Sequence, residues 1–495
     1  MEDQQQFMEQ QSLSLSQVSE EELLHCARIL QLLSGQPECC LNSATASEKV
    51  WKQAALLTKR VKNIQKQAGR NRDRQLIEQA GIRGKRKTKT DGRYLYSDDA
   101  TPVGPPETSL HHSRRCYICK RSYQQLHPFY DLMCAFCGQE NYQKRTQTAD
   151  LAGRIAVVTG GRVKIGFQIA LKLLRSGARV LVTSRFPCDA ARRYAAETDF
   201  EEWHDRLQVF GSDFRSLQSV NQLCDDLQAS CSHLDILINN ASQTIRRPAA
   251  YYRHLLDGES APGRLAQSAR RLIYREGQTQ NSALDAQTLS RFPEELALSA
   301  MLSQTTVLPE DAEDNQRAFP PGLLDSDSQQ VDLREANSWI QELGDVSLPE
   351  LLEVHAVNSL VPFLLIQKME PLLLNSPHED RYIVNVSAME GQLNTDAKTG
   401  YHPHTNMAKS GMNMVTRTSG ERFAGRGIYM NSVDTGWVTN EFPHQKTARM
   451  QQNGFQPPLD EIDGAARVCD PVFVGINERH YVYGKFLKDY RETSW

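Results

Sequence analysis

The chain has 495 residues, of which 39% are hydrophobic and 24% are charged, and its formal net charge is −3. This composition is typical of a globular protein with two or three domains, and it gives no electrostatic indication of a nucleic-acid or membrane partner. No run of about 18 apolar residues is present, so we expect no membrane-spanning helix. The polar N-terminus is unlike a secretory signal, and the 11 mostly scattered cysteines suit a reducing compartment, which predicts a cytoplasmic or nuclear location.

An N-terminal helical region is predicted over residues 1–69. Ser19 and Glu22 have the spacing of a capping box and precede an apolar stripe with helical periodicity, which predicts a helix over 19–34. A second amphipathic helix is expected over about 48–67. Neither helix carries an arrangement of side chains that indicates a functional site.

A basic and polar linker is predicted over 70–110. Lysines and arginines cluster between residues 70 and 93. Such clusters occur in nuclear-localisation signals, in nucleic-acid-binding patches and in solvated linkers. No aromatic residues interleave with the basic ones to stack on bases, so we favour the linker.

From about residue 150 the sequence alternates between short apolar runs and amphipathic segments. We predict strands at 154–159, 179–184, 207–212, 234–239, 381–386, 428–433 and 481–486, with helices at 166–176, 359–374 and 408–424. Near-continuous apolar strands separated by helices indicate a parallel sheet that is covered on both faces. The predicted fold class for residues 150–495 is therefore α/β, a doubly wound parallel-sheet Rossmann domain.

Four cysteines form two Cys-x2-Cys pairs within residues 111–145. They are Cys116, Cys119, Cys134 and Cys137. Each pair places two thiolates at one edge of a tetrahedron, so the spacing predicts a Zn(Cys)4 ribbon whose four protein ligands leave no open position for catalysis. His127 lies between the pairs and is expected to be a packing or surface residue. We therefore predict a small structural zinc module that packs against the Rossmann domain.

A dinucleotide-binding turn is predicted after the first strand of that domain. It consists of Thr159, Gly160, Gly161, Arg162, Val163, Lys164, Ile165 and Gly166. The glycines allow a tight turn and a close approach of backbone N–H groups to a pyrophosphate at a helix N-terminus. Further contacts are expected from Asp213, as an acceptor for the adenine amino group, and from Asn240 and Ala241 after the fourth strand.

This ordered set of motifs resembles the short-chain dehydrogenase/reductase family. Residues 159–166 look like the TGxxxGxG turn of that family, and residues 239–242 look like its NNAG motif. Lys409 matches its YxxxK lysine, Asn358 its helix asparagine, and residues 434–440 its loop containing Pro-Gly. The resemblance covers the predicted Rossmann domain outside one long insertion, and it implies a nicotinamide cofactor.

NADP(H) is the cofactor that the sequence favours. A site selective for NAD places an acidic residue at the end of the second strand, on the ribose 2′-hydroxyl, whereas this chain has Arg185 there, with Arg162 and Lys164 nearby. Several cations and no acid suit a 2′-phosphate. Lys164 replaces a glycine of the family's turn, and pteridine reductases are similar in having a basic residue there and NNAS in place of NNAG.

Two catalytic positions of the family are replaced in this sequence. In the family a Tyr donates the proton and a Ser orients the substrate oxygen, and alignment on Lys409 places Thr405 at the Tyr position. Ala388 falls at the Ser position, with Ser387 one residue before it. Thr405 is expected to be a poor proton donor, because the pKa of an aliphatic hydroxyl lies several units above that of a phenol. Lys409 and Asn358 remain, but both also serve cofactor binding and local structure.

Substitute acids lie close by in the sequence. Tyr401, His402 and His404 precede the replaced tyrosine, and either Tyr401 or His404 is a candidate proton donor. Ser387 is a candidate for the substrate-orienting hydroxyl if the strand is shifted by one residue. Each of these residues can equally be a loop residue with no chemical role.

The spacing between the NNAG-like motif and the helix asparagine is far longer than in the family, which indicates an insertion at about 245–345. It leaves the sheet on the side where ligands bind, and is interpreted as a lid, a specificity element, a partner-docking arm or a partly disordered loop. A short helix is expected within it at 264–276.

Three functional hypotheses follow. The favoured one is a cofactor-binding pseudoenzyme, in which NADP(H) stabilises a scaffold that engages a protein partner through the insertion or the zinc ribbon. The second is a divergent NADP-dependent carbonyl oxidoreductase that uses Tyr401 or His404 as its acid. The third, and least favoured, is a zinc-dependent nucleic-acid-binding protein. Family resemblance also makes a homo-oligomer an expectation.

Overall fold

The computed structural model describes residues 18–40, 46–93, 109–274, 299–395 and 398–495. They belong to two compact units. The first consists of residues up to Leu76 together with Leu110–His112, and the second of Ile77–Ser109 and Ser113–Trp495.

The first unit contains two helices, α1 (Glu20–Gly35) and most of α2 (Ala46–Glu78). The predicted capping box of α1 is confirmed, because the Ser19 hydroxyl accepts from the Glu22 N–H and the Glu22 carboxylate accepts from the Ser19 N–H. Helix α2 continues well past the predicted end at residue 67. It continues because the carboxylate of Asp73, buried on the helix, accepts hydrogen bonds from two backbone N–H groups of residues 111 and 112.

The linker prediction for residues 70–93 is wrong. After α2 the chain forms a further helix, α3 (Gly81–Thr88), which contains the buried residues Ile82 and Arg83. Three basic side chains of this region have partners in the second unit: Arg83 pairs with Asp131, Arg86 donates to the carbonyls of Pro457 and Leu459, and Lys89 pairs with Asp327 and Glu461. These three basic residues are thus satisfied by packing, whereas Arg70, Arg72, Arg74 and Lys87 are exposed, and residues 94–108 lie outside the described part of the chain.

The strands are β1 (Ser109–Arg115), β2 (Ser122–Gln125), β3 (Ile155–Val158), β4 (Arg179–Ser184), β5 (Leu207–Gly211), β6 (Ile236–Asn239), β7 (Arg381–Ser387), β8 (Ile428–Asp434), β9 (Phe486–Lys488) and β10 (Arg491–Thr493). The helices after α3 are α4 (Ala135–Thr146), α5 (Lys164–Arg175), α6 (Pro187–Tyr194), α7 (Leu217–Ser230), α8 (Arg253–Ser260), α9 (Gln267–Leu272), α10 (Leu348–His355), α11 (Val361–Leu374), α12 (Pro403–Ala424), α13 (His444–Gln452) and α14 (Glu461–Glu478).

Eight strands form the main sheet, in the order β10–β9–β8–β7–β6–β3–β4–β5. Every neighbouring pair is parallel except β9 and β10. The strand order reverses at β3, which lies between β4 and β6. A reversal of this kind opens a crevice at the carboxyl ends of the strands, where ligands bind in open α/β sheets.

The sheet is covered on both faces, which confirms the doubly wound prediction. One face packs against α5 and α14, with Leu174 and Phe473 in its core, and the other packs against α7, α11 and α12, with Leu223, Leu365 and Met412 in its core. Alternating buried side chains on each strand supply the inner layer of both cores.

Two predicted elements differ from the structure. The last strand was expected at 481–486, but β9 begins only at Phe486, because Gly484 has a φ of +64°, which is outside the strand region. The helix expected at 359–374 is the end of a longer helical run, which starts with α10 and passes through a π-helical turn at Ala356–Leu360.

That run, Leu348–Leu374, is the one segment of the described residues that is long and apolar enough to cross a membrane by length and composition. Burial in the core explains part of its apolar character, whereas Leu352, Leu360 and Phe363 on the same run are exposed. Val361, Leu365 and Met369 are fully buried against the sheet.

The four-cysteine module comprises β1, β2 and α4 and packs against α14. The Arg145 guanidinium forms two hydrogen bonds to the Asp460 carboxylate, 2.6 and 2.7 Å long, and a third of 2.9 Å to Asp463. The Tyr130 hydroxyl donates to Asp463 over 2.6 Å. All four side chains are buried, so the predicted packing of this module against the Rossmann domain is observed.

The predicted insertion at 245–345 is folded in the parts that the structure describes. Glu259 accepts hydrogen bonds from two N–H groups at the start of α6, and Ile273 forms a parallel bridge with β5. The helix expected at 264–276 is the shorter α9, and residues 275–298 lie outside the described part. A partly disordered loop is therefore the wrong description of the described residues of this segment.

The ion pairs between α4 and α14 generate a prediction on stability. Arg145→Ala leaves two buried carboxylates without their cation, so we expect the free energy of unfolding to fall by about 3–5 kcal/mol. The matched control is Arg491→Ala, which removes an exposed pair with Glu140 and should cost about 0–1 kcal/mol. Urea titration of the full chain measures both, and equal losses for the two variants would contradict the assignment.

Candidate active site

A large cavity opens at the carboxyl ends of the parallel strands. Its volume is about 1120 Å³. It is lined by the turn after β3, by the ends of β4, β6, β7 and β8, and by the N-terminal part of α12. The crevice that the strand order predicts is therefore present, and most of the predicted site residues lie around it.

The glycine turn after β3 is held very close to the segment after β6. Gly160 has a φ of +69°, in the left-handed region, and a Cβ atom there would lie 2.9 Å from the Ala241 Cα. A Cβ on Gly166 would lie 2.2 Å from the Gly160 carbonyl oxygen and 2.4 Å from the Asn240 Nδ2. Only glycine fits at these two positions without displacing backbone.

Hydrogen bonds fix the two segments to one another. The Thr159 hydroxyl accepts from the N–H groups of Asn240 and Ala241, each at 2.9 Å. The Asn240 side-chain amide donates in return to the carbonyls of Thr159 and Gly160. These contacts explain why the sequence places a hydroxyl and an amide at the ends of two neighbouring strands.

Helix α5 begins at this turn and directs its N-terminus to the cavity, which Lys164, Ile165 and Gly166 line. Lys164 has a φ of +55°, an uncommon conformation for a residue with a Cβ. Burial opposes its charged form, but the carboxylates of Glu441 and Asp327 raise the pKa of Lys164. A cation therefore stands beside a helix N-terminus, and Glu441 and Asp327 offset part of its charge. The helix N-terminus itself favours anions.

The other predicted cofactor residues differ in whether their charged groups already pair with other side chains of the protein. Arg185 lines the cavity and donates to the Tyr252 hydroxyl over 2.9 Å. Arg162 also lines it but is paired with Asp189 over 2.7 Å. Asp213 lines it with a carboxylate bound by Arg215, so its role as an adenine acceptor competes with this ion pair.

These features fit a dinucleotide. The two glycine positions leave a space that a single Cβ would fill, and backbone N–H groups and cations surround it. Of the predicted turn residues, Thr159 and Gly161 support the turn without lining the cavity. Gly161 does so by packing on Val182, and its carbonyl accepts from the Tyr194 hydroxyl over 2.6 Å.

Lys409 and Asn358 are both buried, but only Lys409 lines the cavity. The Lys409 ammonium lines the cavity and donates to the Val386 carbonyl over 2.8 Å, and burial lowers its pKa to about 8. Asn358 lies in the π-helical turn, where its side chain pairs with both backbone groups of Gln243. Asn358 does not line the cavity, so it holds the segment after β6 rather than facing a substrate.

The predicted hydroxyl and acid positions separate into two groups. Ser387 and Ala388 both line the cavity, but the Ser387 hydroxyl donates to the Asn413 side chain over 2.8 Å. Thr405 is buried, is not part of the cavity lining, and its hydroxyl has no hydrogen-bond partner among the described residues. His404 is likewise buried away from the cavity. Tyr401, by contrast, lines the cavity and is partly exposed.

His404 lies in a polar cluster that the insertion completes. Its Nε2 is 3.8 Å from the Glu350 carboxylate, and burial lowers its pKa. The Glu350 carboxylate also accepts from the Ser338 hydroxyl. The neighbouring His402 stacks on Trp339 with ring centroids 4.0 Å apart. The end of the insertion is thus packed against the start of α12, which excludes His404 from the cavity.

Several lining residues were not predicted from the sequence. Tyr117 reaches the cavity from the four-cysteine module, and its hydroxyl accepts from the Trp437 N–H over 3.0 Å. Asp434 ends β8, and burial raises its pKa to about 6. Glu441 and Trp339 also line the cavity. Asp434 begins the loop at 434–440 that was matched to the family. No motif marks the other positions, because each depends on a tertiary contact between segments far apart in sequence.

The four cysteines of the predicted metal site come together. The ligand atoms of Cys116, Cys119, Cys134 and Cys137 all lie within 4.8 Å of one another. The Arg121 backbone N–H lowers the pKa of Cys119 to about 7, whereas burial raises the pKa of Cys134 and of Cys137. A bound cation would favour the thiolate form of all four. His127 is buried and accepts from the N–H groups that follow it, so it is a packing residue as predicted.

The sequence is similar to a known protein family and to several known proteins. Residues 154–254 match the model of the short chain dehydrogenase family. Uncharacterized protein R665 of Acanthamoeba polyphaga mimivirus is 31% identical over 380 residues, which cover 73% of this chain and 71% of the viral protein. A fatty acyl-CoA reductase of Acinetobacter baylyi is 33% identical over 98 residues, which cover 20% of this chain and 32% of that enzyme.

Solved structures of similar fold include the Pseudomonas aeruginosa RhlG/NADP active-site complex. It is 18% identical, covers 68% of this chain and 95% of its own, and has a TM-score of 0.42. The NADPH-bound carbonyl reductase from chicken fatty liver is 16% identical, covers 70% of this chain and all of its own, and has a TM-score of 0.40.

The chain belongs to the short-chain dehydrogenase/reductase family of oxidoreductases, as the family match and the arrangement of its motifs show. The alignment with the acyl-CoA reductase spans about a third of that enzyme.

The tight contact at Gly166 generates a prediction. Gly166→Ala forces a Cβ against the Gly160 carbonyl and should lower the free energy of unfolding by about 1–3 kcal/mol. Gly258→Ala is the matched control, because it lies in α8 with open space around it and should stabilise the helix by roughly 0.5–1 kcal/mol. Urea unfolding of both variants measures the difference, and an unaffected Gly166→Ala protein would refute the close approach.

Proposed function

We propose that this chain binds NADP(H) in the cavity and serves as a cofactor-binding scaffold rather than as a carbonyl reductase of the family's usual mechanism. The observation that carries this proposal is Thr405. It stands at the position of the family's phenol, yet its hydroxyl is buried outside the cavity lining. A proton donor must come within hydrogen-bonding distance of the reacting oxygen, and a short hydroxyl outside the cavity does not do so.

Lys409 and Asn358, the two other residues that the family resemblance singles out, would act in cofactor binding. When bound, NADPH supplies a hydride that reduces a carbonyl in active members of the family. Here Lys409 contacts the cavity as an amine with a depressed pKa and is placed to hold the nicotinamide ribose, as the resemblance implies. Asn358 fixes the backbone of Gln243 beside the same cavity. Both side chains support occupancy without supplying the missing acid.

The preference for NADP(H) over NAD(H) rests on charge. Arg185 and Lys164 line the cavity, and the end of β4 carries no acidic residue that would accept from a ribose 2′-hydroxyl. Arginine presents planar donors that match phosphate oxygens. Arg162 contributes less, because Asp189 already neutralises it.

A structural zinc ion is part of the proposal. Four thiolates within 4.8 Å of one another would hold it and leave no open position for substrate. The module would then keep Tyr117 against Trp437, so that the ion supports the loop after β8. Partner binding through this module or through the insertion is the expected output of the scaffold.

Metal analysis tests that part of the proposal. We expect one zinc per chain in the purified protein, and expect Cys134→Ser to lose the metal, lower the melting temperature and weaken NADPH binding. Cys26→Ser, at an exposed cysteine outside the cluster, should change none of these. Absence of metal from wild type, or a Cys134→Ser protein with unchanged melting temperature, would contradict a structural site.

The second candidate function is a carbonyl reductase that uses Tyr401 as its acid. The observation in its favour is that Tyr401 lines the same cavity as Lys409 and Ser387. A phenol near a lysine is the pair that the family uses for proton transfer. His404 is not retained as an alternative acid, because it lies outside the cavity lining.

One experiment separates the two functions. NADPH binding is followed by fluorescence, and NADPH oxidation by absorbance with a panel of aldehydes and ketones, for wild type, Tyr401→Phe and Tyr483→Phe. The scaffold predicts that all three bind NADPH equally and that none oxidises it. Turnover by wild type that falls roughly 100-fold or more in Tyr401→Phe, but not in the exposed control Tyr483→Phe, would establish the reductase instead.

A further inference from the structure

The start of the insertion contributes an arginine to the cavity. Ile245, Arg247 and Tyr252 line the cavity together with the glycine turn after β3. Arg247 lies in the predicted insertion, outside every motif that the family resemblance matched. The insertion therefore forms part of the cavity wall, and its side chains can act on whatever the cavity binds.

The backbone beside Arg247 is fixed by the preceding residue. The Arg246 guanidinium is buried and donates two hydrogen bonds to the Asp311 carboxylate, 2.6 and 3.0 Å long. The Arg246 N–H donates to the Ser338 hydroxyl over 2.8 Å, and its carbonyl accepts from the Arg334 side chain over 3.0 Å. Arg246 thus anchors this part of the insertion, so that binding at Arg247 does not have to order the chain around it.

The Arg247 guanidinium is only partly neutralised. It donates to the Asp332 carboxylate, which also accepts from Arg334 over 2.8 Å, so that two guanidinium groups share one carboxylate. Among the described residues this is the one hydrogen bond of the Arg247 side chain, and a guanidinium has several N–H donors. Further donors remain for an anion, and their planar arrangement matches the oxygens of a phosphate group.

Arg247 and Lys164 both act on the carboxylate of Glu441, and all three residues line the cavity. Burial opposes the charged form of this carboxylate, but Lys164 foremost, and Arg247 as well, lower the pKa of Glu441. The Thr439 hydroxyl donates to the same carboxylate over 2.6 Å. Lys164 is the first residue of α5. Two cations from segments far apart in sequence thus meet at one carboxylate beside a helix N-terminus, where the diphosphate of a dinucleotide binds in folds of this kind.

We propose that Arg247 and Lys164 together bind the diphosphate of the dinucleotide, and that Glu441 competes with the diphosphate for these two cations. The inference rests on the proposed cofactor binding, and it gives the start of the insertion a role in that binding. The diphosphate is common to NADP(H) and NAD(H). Arg247 would therefore contribute affinity for both, whereas Arg185 would distinguish them through the 2′-phosphate.

Calorimetric titration of the full chain with NADPH and with NADH tests the proposal. Arg247→Ala should weaken the binding of both nucleotides by a similar factor, about tenfold or more, because it removes charge-assisted hydrogen bonds to a phosphate group. Arg185→Ala, in contrast, should weaken the binding of NADPH alone. The matched control is Arg253→Ala, because Arg253 is an exposed arginine of the insertion that pairs with Asp314 and does not line the cavity. It should leave both affinities unchanged.

The outcomes separate this inference from the proposed function. If Arg247→Ala weakens the binding of NADPH alone, or of neither nucleotide, the diphosphate site is overturned while cofactor binding stands. If wild type binds neither nucleotide, both are overturned.

A gain of affinity guards against misfolding of the alanine variant. Glu441→Gln removes the competing charge and keeps the shape of the side chain, so it should strengthen the binding of both nucleotides by about threefold or more. Glu342→Gln, at an exposed glutamate of the insertion, should change neither affinity. Affinities of Glu441→Gln that equal or fall below those of wild type would contradict the competition.

Discussion

The close approach of two backbone segments at the carboxyl edge of the sheet is the constraint on which the site depends. The turn after β3 and the segment after β6 meet where Gly166 packs on the Gly160 carbonyl, and Asn240 fastens them together. A parallel sheet brings these strand ends side by side, and glycine removes the side-chain atoms that would hold them apart. A helix N-terminus and the cations Lys164 and Arg185 lie at the rim of the resulting space. This arrangement favours the binding of the anionic part of a dinucleotide.

Other parts of the chain support this edge from outside the sheet. The four-cysteine module is anchored on α14 by the buried Arg145 ion pairs, and it presents Tyr117 to the Trp437 N–H in the loop after β8. The insertion reaches the opposite side of the cavity, where Trp339 stacks on His402 ahead of α12. Two segments foreign to the basic fold thus fix the loops around the place where a substrate would bind. Under the proposed function, these contacts would hold the loops around a bound cofactor.

The sequence predicted those features that local pattern determines. The apolar runs and the glycine positions were sufficient to predict the parallel sheet and the turn at Gly160. The Cys-x2-Cys spacing was sufficient to predict the cysteine cluster. Features that depend on distant contacts were not predictable. Arg83 was predicted to lie in a solvated linker, but in the structure it pairs with Asp131, which is far away in the sequence. His404 looked available as an acid, but packing by the insertion excludes it from the cavity.

Calorimetric titration of the full chain with NADPH and, separately, with NADH tests the central claim most directly. The account predicts one NADPH per chain and at least about tenfold weaker binding of NADH, because Arg185 and Lys164 line the cavity at the end that would hold a 2′-phosphate. Failure of both nucleotides to bind, with no shift in melting temperature from either, would contradict it. The Rossmann domain would then be a scaffold without a cofactor.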